Sequence, residues 1–211
     1  MSKKKFYVVW EGEETGIFDN WEKCKSVIKG YSQPKYKSFK TIEVAKKAYS
    51  SSYFDYVGKT IFESELSNEQ LLKIGKPLKD ALCVDAACSG NPGLMEYRGV
   101  DLKTKSELFR KGPFENGTNN IGEFLALVHG IAFLKKNEIA LPIYSDSKIA
   151  INWIKEKKCN TNLLQDQSNV VIFDLIQRAE NWLLNNEFEN KILKWETKAW
   201  GEIPADFGRK I

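Results

Sequence analysis

Residues 81–87 read ALCVDAA, an apolar run interrupted by a single carboxylate, Asp85. Bounded by the turn-forming SGNPG at 89–93, it reads as a buried strand. An ionised carboxylate is costly in such a strand unless a partner charge or a cation compensates it. The rest of the chain must therefore bring something to Asp85.

The pattern around this strand is α/β. Two further strands are expected at about 95–101 and 106–112, and 120–136 has helical spacing through Phe124, Leu127, Ile131 and Leu134. A strand ending at 142–145 (PIYS), a helix over 147–158 and an amphipathic helix over 168–184 follow. A strand at 190–195 and a short terminal helix from about residue 203 complete the unit. Three early strands, then alternating helices and strands, predict a mixed sheet flanked by helices, with no internal repeat.

Ahead of it, residues 1–52 predict a small ββαβα unit. Strands fall at 6–10, 17–18 and 35–39, and helices follow the capping residues Asp19 or Asn20 and Thr41. Residues 53–80 keep no period and read as a linker, partly ordered because Tyr53, Phe54, Tyr56 and Phe62 are too apolar for a solvated tether. The expected domains are thus 1–52 and 81–211. A length of 211 residues suits one small and one medium domain.

Composition excludes several classes. No apolar run approaches the ~18 residues of a membrane span, and the lysine-rich start lacks the apolar core of a secretory signal. Cys24, Cys83, Cys88 and Cys159 are scattered and there is one histidine, which argues against a zinc site or disulfide framework. A reduced, cytoplasmic setting is expected. Residues 1–52 hold 11 lysines against 6 acids, whereas 81–211 balance at 17 each. Basic charge interleaved with aromatics suits a polyanion partner, although a solvated lysine-rich surface explains the same numbers.

Three more acids stand where chemistry is usually placed. Glu123 lies one turn into the helix after GTNN. Asp146 follows the strand end IYS, beyond the strand's C-terminus. Asp206 falls on the expected terminal helix, with Glu202 four residues earlier on the same face. Singly, each has a structural alternative: Asp146 as a helix cap, Glu123 as half of a capping pair, Asp206 as a solvated acid. As a set, carboxylates without histidine suit Mg²⁺ or Mn²⁺ rather than Zn²⁺.

The segments VDAACSGNPG (84–93), TNNIGEFLALVHG (118–130), YSDSKIAINW (144–153) and WGEIPADFGRK (200–210) resemble, in order, the four motifs of type 1 ribonuclease H. The resemblance covers 81–211. It implies a ribonuclease H-like mixed five-stranded sheet and an endonuclease hydrolysing the RNA strand of RNA/DNA hybrids, leaving 5′-phosphate and 3′-hydroxyl ends. Two Mg²⁺ ions roughly 4 Å apart, with Mn²⁺ as substitute, are implied as cofactors. Asp85 would bridge them, Glu123, Asp146 and Asp206 would complete the set, and Glu202 would be a further acid beside it. Many members carry a histidine on a loop before the last acid, for which KAWGEI (198–203) has no room. His129 lies about 120° around the helix from Glu123 and reads as structural, leaving Glu202 as the candidate substitute.

By the same resemblance Cys88, Gly90, Asn91, Asn119, Asn120 and Lys148 would meet the RNA strand. Cys88 stands where serine is common, and Lys148 where close relatives have glutamine. Thr118, Asn120, Thr161 and Thr197 would hold a DNA-strand phosphate, and Trp153 would stack on deoxyribose. A plain tight turn also explains SGNPG.

Residues 5–49 resemble the hybrid-binding domain found in many ribonucleases H, through FYVVWEG (6–12), TGIFDNW (15–21) and KYKSFKTIEVA (35–45). Trp21 and Tyr36 would stack on the DNA strand, with Tyr7, Lys35 and Lys37 in support and backbone amides at 30–34 meeting RNA 2′-hydroxyls. Ser38 replaces a second lysine. The alternative makes Trp21 and Tyr36 core residues of a tiny domain. The expected partner is an RNA/DNA hybrid bound by a monomer, without membrane or protein partner. The rival readings are a DNA-cutting nuclease of the same fold and a non-catalytic hybrid-binding protein.

Overall fold

The computed structural model describes residues 5–57, 62–64 and 66–208, and the end of the last motif, Arg209 and Lys210, lies outside them. The chain divides into two compact units, Met1–Glu65 and Leu66–Ile211.

The first unit contains β1 (Phe6–Glu11), β2 (Gly16–Phe18), α1 (Trp21–Ile28), β3 (Lys35–Phe39) and α2 (Ile42–Tyr49). Its antiparallel sheet has the order β2-β1-β3. Asn20 caps α1 by accepting from Lys23 N–H at 2.9 Å, and Thr41 caps α2 through Val44 N–H at 3.3 Å. Alternation along β1 sends Val8 into one cluster with Phe39, Ala45, Ala48 and Tyr56, and Val9 into another with Cys24 and Ile28.

This packing runs past residue 52. Tyr56 is buried against Phe39 and Trp10, and Trp10 Nε1 donates to the Ala48 and Ser51 carbonyls at 3.1 and 3.0 Å. Buried Glu63 accepts from the Lys40 and Thr41 amides at 2.6 and 3.0 Å, at the start of α2. Part of the expected linker therefore belongs to the first unit, because Tyr56 and in part Tyr53 find a core to fill, whereas Phe54 and Phe62 are exposed. The later part joins the second unit through α3 (Asn68–Ile74), which a Ser67–Gln70 capping box starts. Trp200 Nε1 donates to the Gly75 carbonyl at 2.9 Å, and Leu78 N–H donates to the Tyr144 hydroxyl at 3.1 Å.

The second unit is the expected mixed five-stranded sheet with helices. β4 (Leu82–Gly90), β5 (Gly93–Asp101) and β6 (Glu107–Gly117) form an antiparallel meander. β7 (Ile143–Ser145) and β8 (Ile192–Lys194) extend it in parallel, giving the order β6-β5-β4-β7-β8. The helices are α4 (Asn119–Lys136), α5 (Lys148–Glu156), α6 (Val170–Asn185) and α7 (Thr197–Trp200). The turn after β4 is tight enough that a Cβ on Gly93 would meet the Ser89 carbonyl oxygen at 2.2 Å.

β4 is the centre of the sheet and packs on both faces. Leu82, Val84 and Ala86 pack with α4, and Cys83 packs on the other face with Val100, Tyr144, Trp195 and Ile203. At the sheet's ends the structure changes character. β6 carries Arg110, Lys111, Pro113 and Glu115 and shifts register against β5 more than once, while β8 has three residues.

One sequence expectation is overturned here. No helix begins near residue 203. Among the described residues the last helix is α7, capped at Gly201 (φ 84°), and 203–208 has no regular form. Ile203 and Ala205 are drawn into the core, Glu202 is exposed and Asp206 is half-buried, so the supposed shared helix face of Glu202 and Asp206 does not exist.

α4 lies close to β4 because residue 122 is glycine: a Cβ there would meet Ala86 Cβ at 2.7 Å and Met95 Cγ at 3.1 Å. Gly122→Ala should lose about 1–3 kcal/mol to overpacking while regaining about 1 kcal/mol of helix propensity. A net destabilisation of about 1 kcal/mol is expected, read as a lower urea midpoint with unchanged slope.

Candidate active site

Gly122 brings the next residue, Glu123, against Asp85. Both carboxyls are almost fully buried, at 2% and 6% exposure. Asp146 arrives from the end of β7, which runs parallel to β4. One carboxylate oxygen from each of the three lies within 4.8 Å of the others.

Local structure answers the alternatives for these acids. Ser147, not Asp146, caps α5 by accepting from Ala150 N–H at 3.2 Å, and the buried Ser145 hydroxyl accepts from Ser147 N–H at 3.1 Å. Asp146 is fixed from both sides while its own carboxyl faces the cluster. Thr118 caps α4, with Ile121 N–H at 3.4 Å, so Glu123 takes no part in capping. Glu123 Oε1 accepts from Ala86 N–H at 3.3 Å and Asn119 Nδ2 at 3.5 Å. Its Oε2 is buried with no hydrogen-bond partner among the described residues.

Asp206 stands outside the tight trio but lines the same small cavity of about 180 Å³ as Asp85, Cys88, Ser89, Asn119 and Phe207. Its Oδ2 accepts from Gly208 N–H at 2.8 Å, and its own N–H donates to the Ile203 carbonyl at 2.8 Å.

Electrostatics follow from this crowding. Burial, then the charges of Asp146 and Asp206, push the Asp85 carboxyl up to about 7. Burial and the adjacent Asp85 hold Glu123 well above the usual carboxylate range. Asp146 is raised by burial, with Lys194 on β8 pulling the other way. Three hard oxygen donors, one of them with an orphaned oxygen, fit a divalent cation such as Mg²⁺ or Mn²⁺. The one histidine contributes nothing to this set: His129 is stacked on Phe109 at 4.0 Å, and burial lowers its pKa.

Of the other expected contact residues, Cys88 and Asn119 line the same cavity as Asp85 and Asp206. Cys88, Gly90 and Asn91 occupy the end of β4 and its turn, with Cys88 Sγ donating to the Gly117 carbonyl at 3.4 Å. Asn119 and Asn120 are exposed in the first turn of α4, after the half-buried Thr118, and Lys148 is exposed at the start of α5. Thr161 and Thr197 are half-buried, in a loop and at the start of α7. Trp153 is 9% exposed and packs edge-on against Phe124, which leaves little ring face for a sugar.

Sequence reading missed the cations that surround the acids. Lys194 sits opposite Ser145 in the parallel pairing, and Arg98 sits opposite Asp85. The second was countable from the tight turn, because antiparallel partners recede from it in step.

In the first unit Trp21 and Tyr36 are both 39% exposed rather than core residues. Tyr7, Trp21 and Tyr36 form one aromatic row, with ring centroids 5.5 and 6.0 Å apart. Lys35 pairs with Glu11 at 2.6 Å, and Lys37 Nζ donates to the Tyr56 carbonyl at 2.7 Å. Gly30 (φ 85°) and Gln33 (φ 55°) shape the loop before β3.

A mixed sheet that brings together a carboxylate from mid-β4, one from the helix packed on it and one from just past the end of β7 offers a divalent-cation site of the kind used to hydrolyse phosphate esters. The RNase H family model matches residues 79–195, and the model described as the Ribonuclease H1 N-terminal domain matches 5–49. The chain belongs to the ribonuclease H family of endoribonucleases. The Ribonuclease H of Ruthia magnifica is 30% identical over 119 residues, spanning 52% of this chain and 76% of that protein. The Schizosaccharomyces pombe Ribonuclease H is 25% identical along 97% of this chain and 96% of its own length. The solved RNase H1 of the halophilic archaeon Halobacterium salinarum gives a TM-score of 0.37 at 18% identity, covering 55% of this chain and 84% of that one. No described helix is long and apolar enough to cross a membrane.

Because the folded Asp85 carboxyl titrates near 7 instead of 3.8, its contribution to stability is complete below the lower value and is lost as pH rises through the higher. In EDTA the protein should melt higher at pH 5.5 than at pH 8. Asp85→Asn should raise the pH 8 melting temperature by about 2–6 °C and flatten the difference, as read by circular dichroism.

Proposed function

We propose that this chain hydrolyses the RNA strand of RNA/DNA hybrids by a two-metal-ion route, leaving 5′-phosphate and 3′-hydroxyl ends. The observation that carries the reading is the trio Asp85, Glu123 and Asp146, the first two buried and the third half-buried, with Glu123 Oε2 unpartnered. Asp85, Glu123 and Asp146 would hold the ions, with Asp206 lining the same cavity; the exposed Glu202 is proposed as a further acid. Bound Mg²⁺ supplies a water of lowered pKa and a counter-charge for the departing 3′-oxygen.

The chain's own groups do the rest. Asn119 and the Ala86 amide hold Glu123 Oε1 in place, so its second oxygen faces inward. Lys194 offsets part of the negative charge at Asp146. The rim formed by Cys88, Gly90, Asn91, Asn119, Asn120 and Lys148 offers short polar groups and turn backbone of the size needed to read 2′-hydroxyls. Thr118, Thr161 and Thr197 are proposed for the DNA-strand phosphate. Trp153 contributes an edge rather than a face.

In the first unit, the exposed Trp21–Tyr36 row supports a stacking platform for the hybrid's DNA strand, with Tyr7 behind it. Lys35 and Lys37 already hold Glu11 and the Tyr56 carbonyl, so the rings carry more of this binding than the lysines. Stacking contributes roughly 1–3 kcal/mol per base in single-strand systems.

Incubation of RNA/DNA hybrid, double-stranded DNA and double-stranded RNA with Mg²⁺ should cleave the hybrid alone, and Asp146→Asn should be inert. Cleavage of double-stranded DNA, or an intact hybrid, rejects the reading. Trp21→Ala with Tyr36→Ala should weaken hybrid affinity about tenfold or more by electrophoretic mobility shift, while cleavage of short hybrids at saturation is retained.

A further inference from the structure

The segment that carries Asp206 has no regular structure; Ile203 and Ala205 seat it in the core, and Arg98 hydrogen-bonds its backbone to the sheet. Arg98 projects from β5 opposite Asp85 and commits two of its three guanidinium nitrogens to this segment. Nε donates to the Ala205 carbonyl at 2.8 Å, and Nη2 donates to the Asp206 carbonyl at 2.7 Å. Nη1 pairs with Glu107 on β6 at 3.2 Å, which orients the fork. The guanidinium also lies 4.6 Å from the Phe207 ring centroid. Arg110, itself held by Glu96, lies 5.2 Å from the same ring.

We infer that Arg98 is a positioning residue that sets where the Asp206 carboxylate stands relative to Asp85. This rests on the metal-dependent nuclease reading given above. The internal bonds of the segment, from Asp206 N–H to the Ile203 carbonyl and from Gly208 N–H to Asp206 Oδ2, shape the turn but do not attach it to the sheet. Arg98 supplies that attachment from the strand beside β4, so the fourth acid and the first share a rigid base. A planar, five-donor fork can hold two successive carbonyls and stack on a ring at once, whereas a lysine ammonium offers a single point. Side chains that orient ligands through a second contact typically change metal affinity or activity by about 10–100-fold when removed.

The test uses the full chain with Arg98→Gln, Arg98→Lys and Asp206→Asn, singly and as the Arg98→Gln, Asp206→Asn pair. Arg98→Gln should lower kcat on a hybrid by about tenfold or more, with KM within about twofold, and should weaken Mn²⁺ binding measured by titration calorimetry. Arg98→Lys should recover part of both losses. In the Asp206→Asn background, Arg98→Gln should add less than about twofold, because its effect passes through the missing carboxylate. Wild-type kcat and Mn²⁺ affinity in Arg98→Gln, or full multiplication of the two single effects, would overturn the inference. Should Arg98→Gln not fold, Arg98→Lys decides: kcat and Mn²⁺ affinity between wild type and Asp206→Asn support the inference, and wild-type values for both overturn it. If the unaltered chain leaves the hybrid intact, the nuclease reading fails, and Mn²⁺ affinity across the same variants still judges the clamp.

Discussion

Two carboxyls buried against each other at the seam between β4 and α4 set the terms for the rest of the second unit. Asp85 and Glu123 lose solvation and repel one another, and a core built for stability alone would place apolar side chains there. The surrounding structure fixes the acids without neutralising them. Glu123 receives its two donors on one oxygen and none on the other, Ser145 and Ser147 hold the backbone around Asp146, and Gly122 keeps the helix near enough for the crowding to occur. The cations stay one step removed. Lys194 acts on Asp146 through space, and Arg98 is bonded to backbone carbonyls rather than to a carboxylate of the cluster. The unit accepts an unfavourable charge arrangement that a divalent cation would relieve.

Much of this could be read from the chain because local chemistry and tertiary role agreed. The lone acid in an apolar strand, the helical spacing after GTNN and the serine after Asp146 each name an element and its end, and β4, α4 and α5 lie where those signals put them. Reading failed where packing overrode pattern. Residues 203–208 look like a helical turn because Ile203 and Ala205 are apolar and acids lie four apart, but those two side chains fill a core gap and leave the backbone irregular. The 53–80 stretch has no period, since Tyr53 and Tyr56 are claimed by the distant Trp10 while Phe54 and Phe62 stay exposed. Trp153 could not be sorted by sequence into core or surface: a ring that packs on Phe124 and a ring that stacks on a sugar look alike in one dimension. Arg98 went unread although the turn fixes its register opposite Asp85, and its grip on a tail more than a hundred residues away belongs to tertiary structure.

The first unit works on a different principle. It has too little interior to hide all its rings, and it resolves this by assigning them to two sides. Phe39, Tyr56 and Trp10 build the core, and Tyr7, Trp21 and Tyr36 line up where solvent reaches them. Its lysine excess looked from composition like the main feature, yet the two lysines of β3 are engaged within the unit. What this surface offers a partner is therefore set by ring area more than by net charge.

The two outer strands of the larger sheet carry a consequence of their own. An unpaired strand edge invites another chain to add itself, and long, flat, apolar edges are the route to aggregation. β6 is long, but its charged residues, its proline and its broken register against β5 make it a poor template, and β8 at the far side is too short to nucleate a ladder. The same strand also carries Glu107, which pairs with Arg98. Protection from unwanted self-assembly and support for the acid-bearing tail thus come from the same strand.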